Sequence, residues 1–223
     1  MPLRLVLFDL NGTLLDPSVM AGPLGGGEEE RALVFRSLDD AIAGAMTLTL
    51  GGYYAPFADL VRGALARRLT LAGRDPASAD AAFEAMAAMP PFPEAEAALD
   101  RLAAAGLRLG VVTQSATETA EAVLERAGVL GRLELVLGTD RVGAFKPDPR
   151  PYRAALEAAA VAAPADACLV AAHWWDVTGA KLAGLCTAWV SRRDRVLPAW
   201  VPEPDVRGAE LLEVAAGVAA MAG

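Results

Sequence analysis

Four short stretches of the chain carry side chains that could do chemistry. The first is Leu5-Val6-Leu7-Phe8-Asp9-Leu10-Asn11-Gly12-Thr13, an apolar run that ends in a carboxylate and then a glycine turn with a hydroxyl beside it. The second is Thr113-Gln114-Ser115, the third is Phe145-Lys146-Pro147-Asp148, and the fourth is His173-Trp174-Trp175-Asp176. Carboxylates, hydroxyls and an ammonium are the equipment of polar bond-making chemistry. Each follows, or closely trails, a run that reads as a buried strand. In an open α/β sheet, ligands bind outside the carboxyl ends of the strands. Asp9, Thr113, Lys146 and Asp176 are therefore expected to meet at one sheet edge.

The elements that must position them follow from the apolar pattern. After Asp16, residues 17–27 are rich in Gly and Pro and read as a loop. A helix is expected from Glu28, its three leading glutamates suiting the positive end of the dipole, with Leu33, Val34, Leu38, Ile42 and Met46 at helical spacing. Gly51-Gly52 ends it. Two more helices are expected, over 57–71 and 77–89, and Pro90-Pro91-Phe92-Pro93 closes the block. No strand is expected between 17 and 91. Beyond it, helices over 94–105, 118–127, 149–159 and 177–183 alternate with strands over 108–112, 133–137, 167–171 and 187–190. A last amphipathic helix is expected over 208–221. Repeated strand–helix units with short connections predict an α/β fold, a doubly wound parallel sheet. The helical block is inserted after its first strand.

Composition narrows the partners. Of 223 residues, 54% are hydrophobic, enough for a large core, and the net charge of −8 argues against nucleic acid. No run of about 18 apolar residues occurs, so no membrane partner is expected. The first residues lead into a strand without a charged-then-apolar leader, and a cytoplasmic location is expected. Cys168 and Cys186 lie in strand-like runs without a CxxC pattern and read as reduced thiols.

The order Asp, Thr, Lys, Asp at successive strand ends resembles the haloacid dehalogenase superfamily. The resemblance covers nearly the whole chain, with residues 17–91 where that family inserts a helical cap and 1–16 with 92–223 as the core. It is nearer still to the 2-haloacid dehalogenase branch, where a tyrosine follows the lysine by six residues, here Tyr152, and a Trp-Asp pair closes the last motif, here Trp175-Asp176. The resemblance implies a Rossmann-like core and an aspartate nucleophile, Asp9, that forms a covalent ester. Lys146 would hold Asp9 ionised. At about 4 Å and an effective dielectric near 20 it contributes about 4 kcal/mol, about three pKa units before desolvation. Asp176 would hold Lys146 and help position water. Thr113 and Thr13 would fix the carboxylate and substrate. Leu10, Asn11, Gln114, Tyr152, His173 and Trp175 are expected to line the substrate.

Asn11 decides between reactions. In the family's phosphatases this position is an Asp that protonates the departing alkoxide, a general-acid step typically worth about 10²–10⁴ in rate. An amide cannot do this, but a departing chloride or bromide needs no proton. The expected activity is halide release from a small halogenated acid, giving the 2-hydroxy acid. The last motif offers only Asp176 where magnesium-dependent members have two acids, so no metal or other cofactor is expected. His173, the sole histidine, stands where the family often has Asn, and could carry a proton or line the cleft. The family's cap arginine has its nearest counterpart in Arg36, although an ungapped match anchored at Phe57 falls on Leu38. Members are often dimers, and the apolar helices of 17–91 could serve as that surface or pack on the core. A phosphatase on a small metabolite and a non-catalytic binding protein remain the rival readings.

Overall fold

The computed structural model describes residues 3–222. The central strand is β1 (Leu5–Phe8), and all four of its side chains are buried. Val6 and Phe8 point into one apolar cluster, Leu5 and Leu7 into another on the opposite face. A strand buried on both faces needs helices on both, which is why its sequence is continuously apolar rather than alternating.

Chain order runs from β1 through three helices, α1 (Glu28–Leu50), α2 (Phe57–Leu71) and α3 (Ser78–Glu84), and then α4 (Ala95–Ala104). Five further strands follow: β2 (Arg108–Thr113), β3 (Leu135–Gly138), β4 (Ala167–Ala171), β5 (Cys186–Val190) and β6 (Val206–Gly208). Between and after them lie α5 (Thr117–Arg126), α6 (Pro149–Ala158), α7 (Trp174–Leu182) and α8 (Leu211–Ala220). The sheet order is β3-β2-β1-β4-β5-β6, and every pairing is parallel. Leu5 faces Arg108 on one side and Ala167 on the other, so β1, β2 and β4 start level and end within two residues of one another. That common register sets the ends of β1, β2 and β4 beside one another. The Cys168 and Cys186 thiols are free, and their residues face each other across β4 and β5.

The helices between β1 and α4 form a block of their own. In α1, Leu33, Val34, Ala41 and Ala45 face inward, and in α2, Val61, Leu65 and Leu69 do so, each at three- and four-residue spacing. Arg68 joins the two helices by two hydrogen bonds to Asp40, at 2.7 and 2.6 Å. The chain leaves and re-enters the sheet at one place. Asp16 N donates to Pro90 O at 2.9 Å, and Phe92 N to Leu14 O at 2.9 Å.

Four details depart from the expectation. Residues Pro17–Leu24 form a 3-10 helix rather than a loop, nucleated by Asp16, whose carboxylate accepts from Ser18 N at 2.9 Å. The third helix stops at Glu84 and continues as a 3-10 turn to Ala88. Val206–Gly208 is a short edge strand, and the last helix begins at Leu211. Three residues give no alternation to read, so only pairing with β5 defines that strand. Finally, α7 begins at Trp174 instead of Val177, which places Asp176 in its first turn. Among the described residues, no helix is long and apolar enough to cross a membrane.

One close approach ties this scaffold to the lysine loop. A Cβ on Gly179, in α7, would lie 2.5 Å from Pro147 Cβ and 2.8 Å from both Pro147 Cα and O. No rotamer relieves a clash with backbone. Gly179→Ala is therefore expected to cost about 1–3 kcal/mol, the usual range for overpacking, seen as a lower urea midpoint. It should also shift Lys146, the residue before Pro147, and lower activity by more than the stability loss accounts for.

Candidate active site

The end of β1 is built to hold one carboxylate still. Asp9 N donates to Val170 O at 3.0 Å, which continues the sheet ladder one residue past the strand. The chain then turns through Gly12, whose φ of 83° suits a residue without a side chain. The turn brings Thr13 back over Asp9. Its hydroxyl donates to Asp9 Oδ2 at 2.9 Å and accepts from Ala172 N at 3.0 Å, so it bridges β1 and the end of β4.

Lys146 enters from the loop before α6 and is fully buried. Its ammonium donates to Asp9 Oδ1 at 2.8 Å, Asp176 Oδ2 at 2.6 Å and Val112 O at 2.9 Å. An ammonium has three protons, and all three are used. The backbone of Lys146 is fixed by Gln114, whose carboxamide donates to Lys146 O at 2.9 Å and accepts from Lys146 N at 3.0 Å. Asp176 is held in turn by the Tyr152 hydroxyl, which donates to its Oδ1 at 2.6 Å. On the other side of Asp9, His173 Nδ1 lies 3.0 Å from Oδ2, and its ring stacks on Trp175 with centroids 5.3 Å apart.

The charges follow from these contacts. Burial alone would raise the Asp9 carboxyl, but the charges and hydrogen bonds of Lys146 and His173 overcome it and hold Asp9 well below the usual carboxylate range. Burial would lower Lys146, and the two carboxylates outweigh it, so its pKa is raised. Asp176 moves the other way from Asp9. Its complete burial and the Asp9 charge push it up, against the pull of Lys146 and Tyr152. For His173, burial lowers the pKa and the Asp9 carboxylate more than restores it, for a net rise.

Asp9 opens on a cavity of about 280 Å³ between the sheet edge and the helical block. Thr113, Gln114, His173 and Trp175 line its sheet side, and Phe35, Leu38, Ile42 and Phe57 its helical side. A larger cavity of about 730 Å³ lies alongside between α2 and α5, with Asn11 and Phe57 lining both. Among the described residues, no group of three or more His, Cys, Asp or Glu could hold a metal ion.

The structure brings together Asp9, Thr13, Thr113, Gln114, Lys146, His173, Trp175 and Asp176 as expected, with Asn11 beside them. Three expectations are corrected. Arg36 is exposed on the outer side of α1 and does not line the cavity. Leu38, two residues on and on the opposite side of the helix, does, so that wall is apolar where a cap arginine was expected. The Leu10 side chain is packed into the apolar core and borders only the neighbouring cavity. Tyr152 is fully buried behind Asp176 and positions that carboxylate rather than lining the cavity.

Sequence reasoning missed the loop after β5. Arg192, Arg193 and Asp194 reach the cavity from there. Arg192 is pinned by Glu94 at 2.8 Å, by Thr13 O at 3.1 Å and by the face of Phe92, 3.7 Å from the ring centre. Arg193 spans to α1, pairing with Asp39 at 2.5 Å. The signal was available. Ser191-Arg192-Arg193-Asp194 follows a strand at its carboxyl end, the same rule that found the other four stretches.

Sheet order, insertion point and strand-end residues define the class first, a doubly wound α/β protein with its polar site at the carboxyl edge beneath a helical block. Residues 3–184 match the family model described as haloacid dehalogenase-like hydrolase, and the chain belongs to that family. It is 30% identical over 197 residues, 86% of each chain, to (S)-2-haloacid dehalogenase 1 of Pseudomonas sp. strain CBS-3. It superposes on a crystal structure of an L-2-haloacid dehalogenase with a TM-score of 0.89 at 26% identity, covering 98% of this chain and 99% of that one. A shorter likeness, 40% over 139 residues, 61% of this chain and 54% of the relative, is to phosphoserine phosphatase of Thermus thermophilus.

Removing the ammonium tests the electrostatic arrangement. Lys146→Met leaves Asp9 and Asp176 buried beside each other, and breaking a buried ion pair this way typically costs about 3–5 kcal/mol at neutral pH. The contribution of Asp9 to the pH dependence should change sign. A depressed folded-state pKa makes the Asp9 contribution in the parent protein complete above the unfolded carboxylate value of about 3.9 and lost only as pH falls below it. In the variant the carboxyl pKa values rise, so stability should increase as pH falls from 8 to 5. Urea denaturation at several pH values reads both slopes.

Proposed function

We propose that this protein is a metal-independent hydrolase that cleaves the carbon–halogen bond of small (S)-2-haloalkanoic acids, giving halide and the 2-hydroxy acid. The observation that carries this reading is an ionised, backed carboxylate facing a small cavity whose neighbour at position 11 is an amide. Asp9 attacks the alpha carbon in line with the departing halide, and an ester forms on its side chain. Chloride and bromide leave as stable anions and take no proton, so Asn11 is no handicap in this step. Water then cleaves the ester at Asp9 Cγ, and the configuration at the alpha carbon is inverted.

The residues divide the work. Lys146 keeps Asp9 anionic, and Asp176 and Tyr152 keep Lys146 aimed. Thr13 and Thr113 fix the attacking group and the substrate near it, while Gln114 anchors the lysine loop. Trp175, Phe57, Leu38 and Ile42 would enclose the alkyl part. The segment 17–91 acts as a cap over a core formed by 1–16 and 92–223, since the cavity has one wall from each. The positive charge that meets the acid's carboxylate comes from Arg193, on the core loop, which would exchange its pairing with Asp39 for the substrate, rather than from a cap arginine.

A phosphatase is the competing reading, and the likeness to phosphoserine phosphatase favours it. It requires an acid to protonate the leaving alkoxide, and Asn11 supplies none. One assay separates the two: chloride and phosphate release with and without a magnesium chelator. Chloride should appear from (S)-2-chloropropionate at equal rates in both conditions, and Asp9→Asn should abolish it. Phosphate release stopped by chelation, with no chloride, would reverse the assignment.

The arginine assignment has its own measurement. Hydrogen bonds to charged groups are worth about 1.5–3 kcal/mol, so Arg193→Ala is expected to raise KM about tenfold or more with little change in kcat. Arg36→Ala should leave both within about twofold.

A further inference from the structure

Ester hydrolysis poses a problem that halide release does not. The group that leaves Asp9 in the second step is an alkoxide, which needs a proton, and the attacking water must lose one. Asn11 cannot serve. Among the described residues, three side chains contact the Asp9 carboxylate: Lys146, Thr13 and His173. Lys146 is fully buried with all three protons engaged. Thr13 does not titrate, and its oxygen already accepts from Ala172 N. His173 differs from both. It lines the cavity, and its side chain is 25% exposed, so water can reach the ring.

We propose that His173 is the proton shuttle of the hydrolytic half-reaction, taking a proton from the water that attacks the Asp9 ester and handing it to the departing alkoxide. The inference rests on the dehalogenase reading above and deepens it. The water oxygen bonds to Asp9 Cγ, the Cγ–O bond to the substrate breaks, and the 2-hydroxy acid leaves with the proton His173 carried. The water's second proton is the one that accompanies halide in the net reaction, and Asp9 returns as a carboxylate.

The site is shaped for this ring. A Cβ at position 12 would stand 3.1 Å from His173 Cε1 and 3.2 Å from Nε2, so Gly12 leaves the space the imidazole uses. Stacking on Trp175 fixes the ring plane. The first step also prepares the base. Before it, the Asp9 charge and hydrogen bond raise the His173 pKa against burial and Lys146. After it, Asp9 is a neutral ester. Burial and Lys146 then remain to lower the pKa, and only Asp176 opposes them. Forming the ester thus shifts the ring toward the neutral imidazole that can accept a proton. Further charges line the cavity on other elements: Asp16, Asp39, Arg192, Arg193 and Asp194. Arg192 pairs with Glu94 and Arg193 with Asp39, so Asp9, Asp176 and Lys146 dominate at the ring.

The test is quenched-flow halide release from (S)-2-chloropropionate, with intact-mass analysis of the protein. His173→Asn should give a burst of one chloride per site at a rate within about tenfold of the parent. Turnover should then slow by about 10²–10⁴, and the protein should carry the propionate ester. In the parent, single-turnover ester hydrolysis should rise with pH to a plateau, and this acid limb should vanish in the variant. That profile needs no substitution, so it stands even if the variant folds poorly. Turnover by His173→Asn within threefold of the parent, or loss of the chloride burst, or a flat parental profile would overturn the shuttle alone. Absence of chloride release by the parent protein would instead overturn the dehalogenase reading itself, and the shuttle with it.

Discussion

One buried ammonium between two carboxylates sets the terms for the rest of the structure. Lys146 sits 2.8 Å from Asp9 and 2.6 Å from Asp176 with no exposure to solvent. At an effective dielectric near 20, each contact is worth about 6 kcal/mol before desolvation. Removing each ion from water costs several kcal/mol in return. Such an arrangement stabilises a fold only weakly, so its form is better understood through what it does to Asp9. It keeps an oxygen anionic in a partly dry cleft. The same need explains the supporting contacts. Gln114 fixes the lysine backbone, Tyr152 fixes Asp176, and Gly179 lets α7 come close enough to Pro147 for the set to meet.

The sheet supplies the precision. Because β1, β2 and β4 pair in one register, Asp9 lies within one residue of the level of Thr113 and Ala172. Thr13 then spans from the Asp9 carboxylate to Ala172 N and locks two strand ends together. Side chains mounted this way are held by backbone hydrogen bonds rather than by loop packing. The helical block adds mostly apolar wall, Phe35, Leu38, Ile42 and Phe57. Polar machinery on the sheet and apolar enclosure on the helices follow from the same fact, that only strand ends have a fixed direction.

Much of this was legible in the sequence, for physical reasons that differ by residue. Continuous apolar runs announce strands buried on both faces, so β1, β2, β4 and β5 were found within a residue or two, and Asp9, Thr113, Lys146 and Asp176 came with them. β6 has three residues and no period, and pairing alone reveals it. Arg36 failed because helical phase decides which side chains face a cavity. The cavity-facing phase of α1 runs through Leu38 and Ile42, and Arg36 falls outside it. Tyr152 was assigned to the substrate because spacing cannot say whether a hydroxyl reaches forward to a ligand or back to Asp176. Arg192 and Arg193 were passed over because a short polar stretch after β5 carries no motif, although its position at a strand end was informative.

The point where the chain leaves and re-enters the sheet has a consequence for how the molecule is assembled. Leu14 and Asp16 are hydrogen-bonded to Phe92 and Pro90, so the two connections to the helical block run side by side. A chain excursion whose ends already touch imposes little closure entropy on the sheet it leaves. The sheet therefore barely registers how long that excursion is or how its helices are arranged. The enclosure above Asp9 can be lengthened, shortened or exchanged over evolutionary time while the strand ends below it stay in register.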